Sequence, residues 1–323
     1  MKAILYTKYG PPDLLELTEI EKPVPNDNQV LIKVHAASAN ALDWRPFEMS
    51  PIFLGLMGNG FSKPKDTSMG VDVAGRVEAV GKSVRRFKPG DAVFGAANGS
   101  FAEYACAGEH KLALKPDNLS FESAAAVPIA ALTALQALRD KGKIQPGQKV
   151  LINGASGGVG TFAVQIAKAF GAEVTAVCST RNLDIARSIG ADRVIDYTRE
   201  DFTKDTQRYD LILAVNGYHP ILDYRRALSP EGLYISAGGS MAQIVQGLLL
   251  GRLLSRFGSK KLGFMGMANT NQEDLLVLKE LIETGKVVPV IDRYYPLSEV
   301  PEAIRYLMEE HAKGKVVIQI PKG

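Results

Sequence analysis

The sequence predicts an α/β protein of two domains, one barrel-like and rich in β-strands, the other a doubly wound parallel sheet with helices on both faces. Three observations lead to this prediction. The chain has 323 residues, which exceeds what one hydrophobic core usually organises. Residues 1–115 consist of short β-branched or alternating runs, whereas strand-like and helix-like patterns alternate from residue 120 onwards. A glycine-rich segment at 154–160 joins one predicted strand directly to a predicted helix.

The elements of the N-terminal domain are short and punctuated by Gly, Pro and Asn, which suits a compact barrel. Ser120, followed by Glu122 and an alanine-rich pattern, indicates the start of a helix. Pro128 predicts either a kink or a junction between two helices. The predicted strands before this point are 29–38, 72–81, 90–96 and 100–107.

Repeated strand–helix units after residue 140 imply a parallel sheet. Two amphipathic helices, 272–285 and 297–311, and a final strand at 315–320 complete the chain. The predicted strands of the sheet are 149–154, 173–178, 193–197, 211–215, 233–238 and 262–267, and its predicted helices are 159–170, 182–189, 220–228 and 241–257.

Composition narrows the class of protein. Apolar residues make up 46% of the chain and the formal net charge is +3, which favours a folded enzyme or binding protein over a disordered chain or a nucleic-acid binder. Cys106 and Cys178 are too few for a disulfide framework or a cysteine-rich zinc site. The N-terminus lacks a signal-peptide pattern, and the apolar segment 241–258 carries two arginines and is short for a membrane span. We therefore expect a cytoplasmic protein without nucleic-acid or membrane partners.

The segment "VLINGASGGVGTFAVQIAKAFGA" is the strongest local signal in the chain. Its glycine-rich part reads Ala155-x-Gly157-x-x-Gly160, with alanine in the first place of the G-x-G-x-x-G pattern. Gly157 would let the backbone approach a pyrophosphate, Gly160 would let the helix pack on the strand, and the N–H groups of the helix start would face the anion. The pattern predicts a Rossmann-type dinucleotide site; the alternative is a tight turn without a ligand. The candidate binding residues are Ala155, Ser156, Gly157, Gly158, Val159 and Gly160.

The end of the second predicted strand of this sheet indicates which dinucleotide is bound. Sites that select NAD usually carry Asp or Glu about 20 residues beyond the turn, where the carboxylate binds the adenosine ribose. This chain has Ser179 there and Arg181 two residues further on. A hydroxyl can donate to a phosphate and a guanidinium fork suits phosphate oxygens, whereas a carboxylate would repel a 2′-phosphate. With Tyr197 at the end of the third strand, these residues predict NADPH; the alternative is that Arg181 and Tyr197 are ordinary surface residues.

Several segments, in one order along nearly the whole chain, carry a family resemblance: "AASANALDW" (36–44), "GVDVAGRVEAVG" (70–81), "GDAVFG" (90–95), "AAAVPIAALTALQAL" (124–138), "LINGASGGVGTFAVQIAKAFGAEV" (151–174), "GADRVIDY" (190–197) and "GKVVIQI" (314–320). Through them the chain resembles the zinc-free quinone oxidoreductase branch of the medium-chain dehydrogenase/reductases. The resemblance implies a GroES-like catalytic domain at 1–119, completed by 287–323, and a Rossmann-type NADPH-binding domain at 120–286. It also implies an active site in the cleft between the domains and a homodimer.

The resemblance extends to cofactor residues. NADPH-using relatives often hold the 2′-phosphate with a small hydroxyl or glycine residue, a lysine and a tyrosine; Ser179 and Tyr197 match two of these, whereas the lysine position falls on Asn182. Ala237 and Gly238 follow the fifth strand, where the backbone could bind the nicotinamide carboxamide. Phe264 lies in a segment that resembles one touching the cofactor and lining the dimer contact in the family.

The resemblance also predicts that no metal is bound. Zinc-bearing relatives place a cysteine where this chain offers Ser38 and Asn40, and a His-Glu pair where it has Val71 and Asp72. A catalytic zinc needs three protein ligands, and valine removes one of them. Without a Lewis acid for an alkoxide, the chemistry shifts towards quinones or α,β-unsaturated carbonyls, which accept hydride with less activation.

Two residues are predicted to take part in catalysis. Asn40 resembles the asparagine that lies near the nicotinamide ribose in the family, and Arg45 matches a position that is lysine in some enone-reducing relatives, with a surface arginine as the alternative. Residues 41–71 contain no tyrosine proton donor, which argues against a fatty-acyl substrate. We expect an NADPH-dependent reductase of quinones or enones. Two alternatives are open: a zinc-independent alcohol or aldehyde reductase, and a non-catalytic NADPH-binding sensor.

Overall fold

A computed structural model describes residues 1–56, 58–256, 258–309 and 312–321. The strands are β1 (Lys2–Tyr6), β2 (Leu15–Glu19), β3 (Gln29–Ala39), β4 (Asp72–Val80), β5 (Ala92–Ala96), β6 (Tyr104–Gly108), β7 (Leu112–Leu114), β8 (Lys149–Asn153), β9 (Glu173–Cys178), β10 (Arg193–Asp196), β11 (Tyr209–Ala214), β12 (Leu228–Ser236), β13 (Lys261–Phe264), β14 (Ile291–Pro296) and β15 (Lys315–Gln319). The α-helices are α1 (Ala41–Glu48), α2 (Pro51–Leu56), α3 (Phe121–Ala125), α4 (Pro128–Leu135), α5 (Gly158–Ala169), α6 (Leu183–Ser188), α7 (Ile221–Ala227), α8 (Met241–Val245), α9 (Gly251–Leu254), α10 (Gln272–Glu283) and α11 (Val300–Glu309).

The chain forms two compact units. The first unit comprises Met1–Ile129, Thr270–Glu283 and the described residues from Ile291 onwards, and the second comprises Ala130–Asn269 and Thr284–Val290. No helix in the described ranges has both the length and the apolar character needed to cross a bilayer.

The first unit is built on a seven-stranded sheet in the order β14-β15-β3-β4-β5-β7, with β6 also pairing with β3. The long strand β3 is its centre because its apolar residues are buried along its whole length, among them Val30 and Ile32. The C-terminal strand β15 lies antiparallel to β3, with Val316 opposite Ala39. The end of the chain therefore completes a sheet that the N-terminal third begins.

The second unit is a parallel six-stranded sheet in the order β10-β9-β8-β11-β12-β13. Its central strands are continuous apolar runs, such as Val150, Leu151 and Ile152 in β8, which are fully buried because helices cover both faces. This arrangement confirms the predicted doubly wound sheet. Each predicted strand of this sheet lies at its predicted place, with ends that differ by a few residues.

Some of the helices predicted from the sequence are present in the structure, and other helices were not predicted. The Ser120 hydroxyl accepts a hydrogen bond from the N–H of Ser123 at 3.2 Å, and Pro128 begins a new helix, so the predicted helix start and helix junction are both present. The predicted helix 241–257 is α8 and α9 with a π turn between them, and residue 257 lies outside the described residues. Helices α1 and α2 and strand β14 were not predicted, because α1 contains Pro46 and β14 is polar and half-exposed.

The structure divides the C-terminal part of the chain between the two units in another way than the expected domain boundaries at 119, 286 and 287. Helix α10 belongs to the first unit, where the Gln272 amide donates to the carbonyl of Leu112 and the Asn118 amide donates to the carbonyl of Ile282, both at 2.9 Å. Segment 284–290 belongs to the second unit. Such hydrogen bonds join residues more than 100 positions apart, so local sequence patterns do not indicate them.

Candidate functional site

The predicted cofactor residues of the second unit lie at one edge of its parallel sheet. Because the six strands run in the same direction, their carboxyl ends meet there, and the register places Ala214 between Asn153 and Ser236. The strand order reverses between β8 and β11, which is where open α/β sheets form a ligand crevice. The residues brought to this edge are 155–160, Ser179, Arg181, Tyr197, Ala237, Gly238 and Phe264.

The glycine-rich turn leads from β8 straight into α5. Gly157 is the residue before the helix, and the first helical hydrogen bond runs from the N–H of Thr161 to the carbonyl of Gly157 at 3.0 Å. The N-cap residue Gly157 has no side chain to cap this helix, and in the described part of the chain no side chain accepts from the N–H groups of Gly158, Val159 and Gly160. The helix start therefore presents the backbone donors and the positive dipole end that a phosphate requires.

Gly157 and Gly160 differ in what a side chain at each position would meet. A Cβ at Gly160 would lie 2.1 Å from the carbonyl oxygen of Gly154, so the fold itself demands glycine. A Cβ at Gly157 would meet only the same oxygen at 3.7 Å, and the φ of Gly157 is −82°, which any residue adopts. The fold therefore tolerates a Cβ at 157, since the contact it would make is an ordinary van der Waals one. The turn therefore fits a dinucleotide.

The end of β9 is joined to the glycine-rich turn through Asn182. The Asn182 amide nitrogen donates to the Ser156 hydroxyl at 2.9 Å and to the Ser179 hydroxyl at 3.2 Å. Ser179 is half-buried, Arg181 is exposed, and Tyr197 is exposed with its N–H bonded to the carbonyl at the end of β9. The three predicted 2′-phosphate residues thus lie at the adjacent ends of β9 and β10, and Asn182, which follows Arg181, is buried.

A carboxylate that the sequence analysis did not consider also lies here. Asp196 ends β10, is 6% exposed, and accepts hydrogen bonds from the hydroxyls of Thr180 at 2.5 Å and Thr198 at 2.7 Å. The Thr180 hydroxyl holds the pKa of Asp196 below its usual value. Both oxygens of this carboxylate are therefore engaged by threonines. The signal that could have found it is the strand end "VIDYT", where an acid follows a buried run.

The residues predicted for the nicotinamide end of the cofactor follow β12 and β13. The N–H of Ala237 bonds to the carbonyl of Ala214 at 2.9 Å, and Gly238 has a φ of 150°, which favours glycine. Phe264 ends β13 and is half-buried. Gln243 lies behind this loop, 1% exposed, with its amide donating to the same Ala214 carbonyl at 3.3 Å.

A buried polar cluster in the first unit contains Asn40. The Asp72 carboxylate accepts hydrogen bonds from the Ser38 hydroxyl at 2.7 Å, the Asn40 amide at 2.8 Å and the N–H of Ile129 at 2.9 Å. The ammonium group of Lys315 lies 3.3 Å from the same carboxylate and donates to the amide oxygen of Asn40. Lys315 is 3% exposed and Asp72 is fully buried. Sequence analysis missed Lys315, because a lysine at the start of an apolar strand usually faces solvent.

Asp43 lies next to this cluster and is fixed at the start of α1. Its carboxylate accepts a hydrogen bond from the N–H of Asn40 at 2.7 Å. Burial raises the pKa of Asp43 to about 7 and the nearby Asp72 carboxylate acts in the same direction, although Lys315 and the N–H of Asn40 oppose the shift. The carboxyl group of Asp43 therefore changes charge near neutral pH.

The residues at the predicted metal position do not fit a zinc ion. Ser38 donates to Asp72, and the cationic Lys315 lies beside the same carboxylate, where a metal would be repelled. Val71 offers no ligand atom. Within the described ranges no three His, Cys, Asp or Glu side chains are grouped as metal ligands would be.

Arg45, the other predicted catalytic residue, lies in the last turn of α1. Its side chain is half-buried and its guanidinium carbon lies 5.7 Å from the centre of the Trp44 ring. Asn40 is the N-cap of this helix, so the two predicted catalytic residues lie at the start and in the last turn of one short helix, while only Asn40 belongs to the buried cluster.

The second unit has the fold of a dinucleotide-binding α/β protein. Comparisons with known proteins identify the family to which the chain belongs. Residues 26–117 match the family model described as alcohol dehydrogenase GroES-like domain, and residues 189–318 match the one described as zinc-binding dehydrogenase. The chain is similar to 2-methylene-furan-3-one reductase of Solanum lycopersicum, with 37% identity over 98% of this chain and 79% of that protein. It is also similar to the chloroplastic NADPH-dependent alkenal/one oxidoreductase of Arabidopsis thaliana, with 34% identity over 98% of this chain and 79% of that protein.

A solved structure agrees with these relatives. The quinone oxidoreductase from Coxiella burnetii superimposes with a TM-score of 0.87 at 30% identity and covers 99% of both chains. The chain therefore belongs to the quinone oxidoreductase branch of the medium-chain dehydrogenase/reductase superfamily, and it is an oxidoreductase. This confirms the predicted family, the GroES-like and Rossmann-type fold class and the prediction of an enzyme, which excludes the non-catalytic sensor.

Proposed function

We propose that this protein transfers hydride from NADPH to a quinone or an α,β-unsaturated carbonyl compound without zinc. One observation carries the proposal: an uncapped helix start, a phosphate-suited strand end and the residues after β12 share one sheet edge in a member of this family. The predicted cofactor is confirmed at the level of the family, where a relative is named as NADPH-dependent.

The chain's residues have separate tasks in holding the cofactor. The N–H groups at Gly158, Val159 and Gly160 bind the pyrophosphate, and Ser179, Arg181 and Tyr197 bind the 2′-phosphate. Bound NADPH supplies a hydride and the protein orients it towards the substrate. At the nicotinamide end, the residues that contact the ring and its carboxamide are Ala237, Gly238 and Phe264.

The residues that activate the substrate are Arg45, through its positive charge, and Asn40, through its fixed position. Negative charge develops on the carbonyl oxygen of a quinone or enone as hydride is accepted, and the guanidinium of Arg45 stabilises that charge. Asn40 cannot move freely, because Asp72 and Lys315 hold both ends of its amide. A rigid Asn40 orients the cofactor ribose, and the proton that completes reduction comes from water. The donor set at Ser38, Val71 and Asp72 does not fit zinc, so no step passes through a metal.

Two further predictions remain proposals: a cytoplasmic location, which cell fractionation tests, and a homodimer. Strand β13 is an edge of the sheet, and Met267 just beyond it is 78% exposed, so a second copy could pair there. A mass of one chain by light scattering, at concentrations where the enzyme is active, would contradict the homodimer.

Oxidation of NADPH with a panel of quinones, enones and simple aldehydes tests the proposed function. We expect turnover of quinones or enones and little with aldehydes. Arg45→Ala should lower kcat more than it lowers affinity for NADPH, because Arg45 acts on the substrate. Turnover of aldehydes alone would support the alcohol or aldehyde reductase, and unchanged kcat in Arg45→Ala would make Arg45 a surface residue.

A further inference from the structure

Asn182 occupies an unusual position between the two turns of the candidate cofactor site. It ends a short turn after β9, where its N–H bonds to the carbonyl of Ser179 at 2.9 Å, and its side chain is 2% exposed. From there its amide reaches the hydroxyls of both Ser156 and Ser179. Ser156 belongs to the glycine-rich turn and Ser179 to the strand end, so one buried amide connects the two segments proposed to bind different phosphates.

The direction of these hydrogen bonds decides what the serines can do. The two N–H bonds of the Asn182 amide are used on the two serine oxygens, so each hydroxyl acts as an acceptor towards Asn182. Each serine then keeps its own O–H bond for another acceptor. Among the described residues, no protein group accepts from either hydroxyl. A phosphate oxygen is the acceptor that both would fit.

The carbonyl oxygen of the Asn182 amide also bears on which way the two serine hydroxyls point. The Asn182 carbonyl oxygen is buried and has no hydrogen-bond partner among the described residues. The opposite orientation of the amide would pair this oxygen with the serine hydroxyls but would leave two buried N–H donors without an acceptor, so the observed orientation is the better satisfied of the two. It is the orientation that leaves two hydroxyl protons free to bind an anion.

We propose that Asn182 is a positioning residue of the dinucleotide site, whose amide turns the hydroxyls of Ser156 and Ser179 towards the pyrophosphate and the 2′-phosphate. The inference rests on the proposed function. The lysine expected here from the family resemblance would supply charge; in this chain Arg181 supplies the charge and Asn182 supplies the orientation. Because both serines depend on one amide, recognition of the two phosphates is coupled.

The test is a double-mutant cycle on binding, with Kd for NADPH and NADH measured by fluorescence titration. Asn182→Ala should lower the preference for NADPH over NADH about tenfold, the loss expected for one hydrogen bond to a charged group. In a Ser179→Ala background the same substitution should change that preference less than about twofold, because Asn182 acts through Ser179. Asn118→Ala, which removes a structural amide bond in the first unit, is the matched control and should leave the preference unchanged.

The outcomes separate this inference from the proposed function. If Ser179→Ala lowers the preference but Asn182→Ala does not, or if Asn182→Ala has the same effect in both backgrounds, the positioning role is wrong and the proposed site stands. If wild-type protein shows no preference for NADPH, the proposed site itself is wrong. Should the alanine variant not fold, Asn182→Leu fills a similar volume without a donor and gives the same cycle. Equal weakening of NADPH and NADH binding by either variant would contradict the positioning of Ser179, and with it the proposed coupling of the two phosphates.

Discussion

Gly157 and Gly160 belong to one motif but serve different purposes: Gly160 allows the helix to pack on the strand, and Gly157 leaves space for a ligand. Substituting Gly160 places a Cβ 2.1 Å from a backbone oxygen, so the strand and the helix would have to move apart. Substituting Gly157 disturbs nothing in the protein, because its Cβ would touch one atom at an ordinary 3.7 Å. The two purposes can therefore be tested independently.

We predict that Gly157→Ala keeps the melting temperature of the wild type and binds NADPH more than about tenfold more weakly. The added methyl group occupies the space that a phosphate needs against the helix start. Differential scanning fluorimetry with and without NADPH measures both quantities. Gly160→Ala is the control and should lower the melting temperature of the protein without cofactor. Tight NADPH binding by folded Gly157→Ala would contradict the assigned role of the turn.

The buried carboxyl group of Asp43 makes stability depend on pH in an unusual direction. Its pKa is about 7 in the folded protein against 3.8 as the ordinary value, so between these values the folded state holds the proton more often than the unfolded state. The unfolding free energy must then fall as pH rises through this window, by up to about 1.4 kcal/mol per pH unit. The charged and titratable groups that act on it are Asp72 and Lys315.

We predict that Asp43→Asn removes this dependence, since the amide keeps an acceptor for the N–H of Asn40 but does not ionise. Relative to the wild type, the variant should gain unfolding free energy steadily between about pH 4 and about pH 7, as measured by urea denaturation at several pH values. Asp27→Asn, at an exposed position of the same unit, should run parallel to the wild type. A constant difference between Asp43→Asn and the wild type across the window would refute the raised pKa.

At the scale of elements, the end of β9 decides which dinucleotide fits. We predict that Ser179→Asp combined with Arg181→Ala shifts the ratio of kcat/KM for NADPH and NADH towards NADH by at least about a hundredfold. The change adds a carboxylate that repels a 2′-phosphate and removes the cation that attracts it. The Asp196 carboxylate is present in both the wild type and the variant, where it accepts hydrogen bonds from two threonine hydroxyls, so it does not contribute to the expected shift.

Arg187→Ala is the matched control for this change, since it also removes an exposed arginine, which lies on α6 and pairs with Asp184 at 3.0 Å. It should leave the ratio unchanged. If the double variant behaves like this control, the strand end does not bind the phosphate.

Elements that repeat a local pattern could be predicted, and elements held by distant partners could not. The strands β8, β9 and β11 at the centre of the second unit are nearly continuous buried runs, so their position follows from the sequence alone. The two glycines and Ser179 also follow, because spacing from the turn fixes them. Asn182 looks like any residue of a polar turn, and only the fold shows that it is buried and reaches Ser156. Helix α10 carries a clear amphipathic pattern, but its assignment to the first unit depends on contacts with 112 and 118.

For the whole molecule, the decisive long-range feature is the return of the chain to its first unit. Strand β15 pairs with β3, and Lys315 at its start enters the buried cluster around Asp72, 243 positions away in the sequence. The sequence motif "GKVVIQI" predicts a final strand, but a lysine there gives no sign of being 3% exposed. Since burying a charge is costly unless it is paired, this ion pair links the stability of the unit to the correct return of the chain.

We predict that Lys315→Met lowers the unfolding free energy by about 3–5 kcal/mol, because it leaves the Asp72 carboxylate buried without its cation. The matched control is Lys22→Met, which breaks an ion pair of the same unit with Glu78 at 2.7 Å, where both side chains are about 40% exposed; it should cost at most about 1 kcal/mol. Urea denaturation measures both. Combining Lys315→Met with Asp72→Asn should cost less than the sum of the single changes, since the unpaired charge disappears with its partner. Equal losses for the buried and the exposed lysine would mean that Lys315 is not the counter-charge of the cluster.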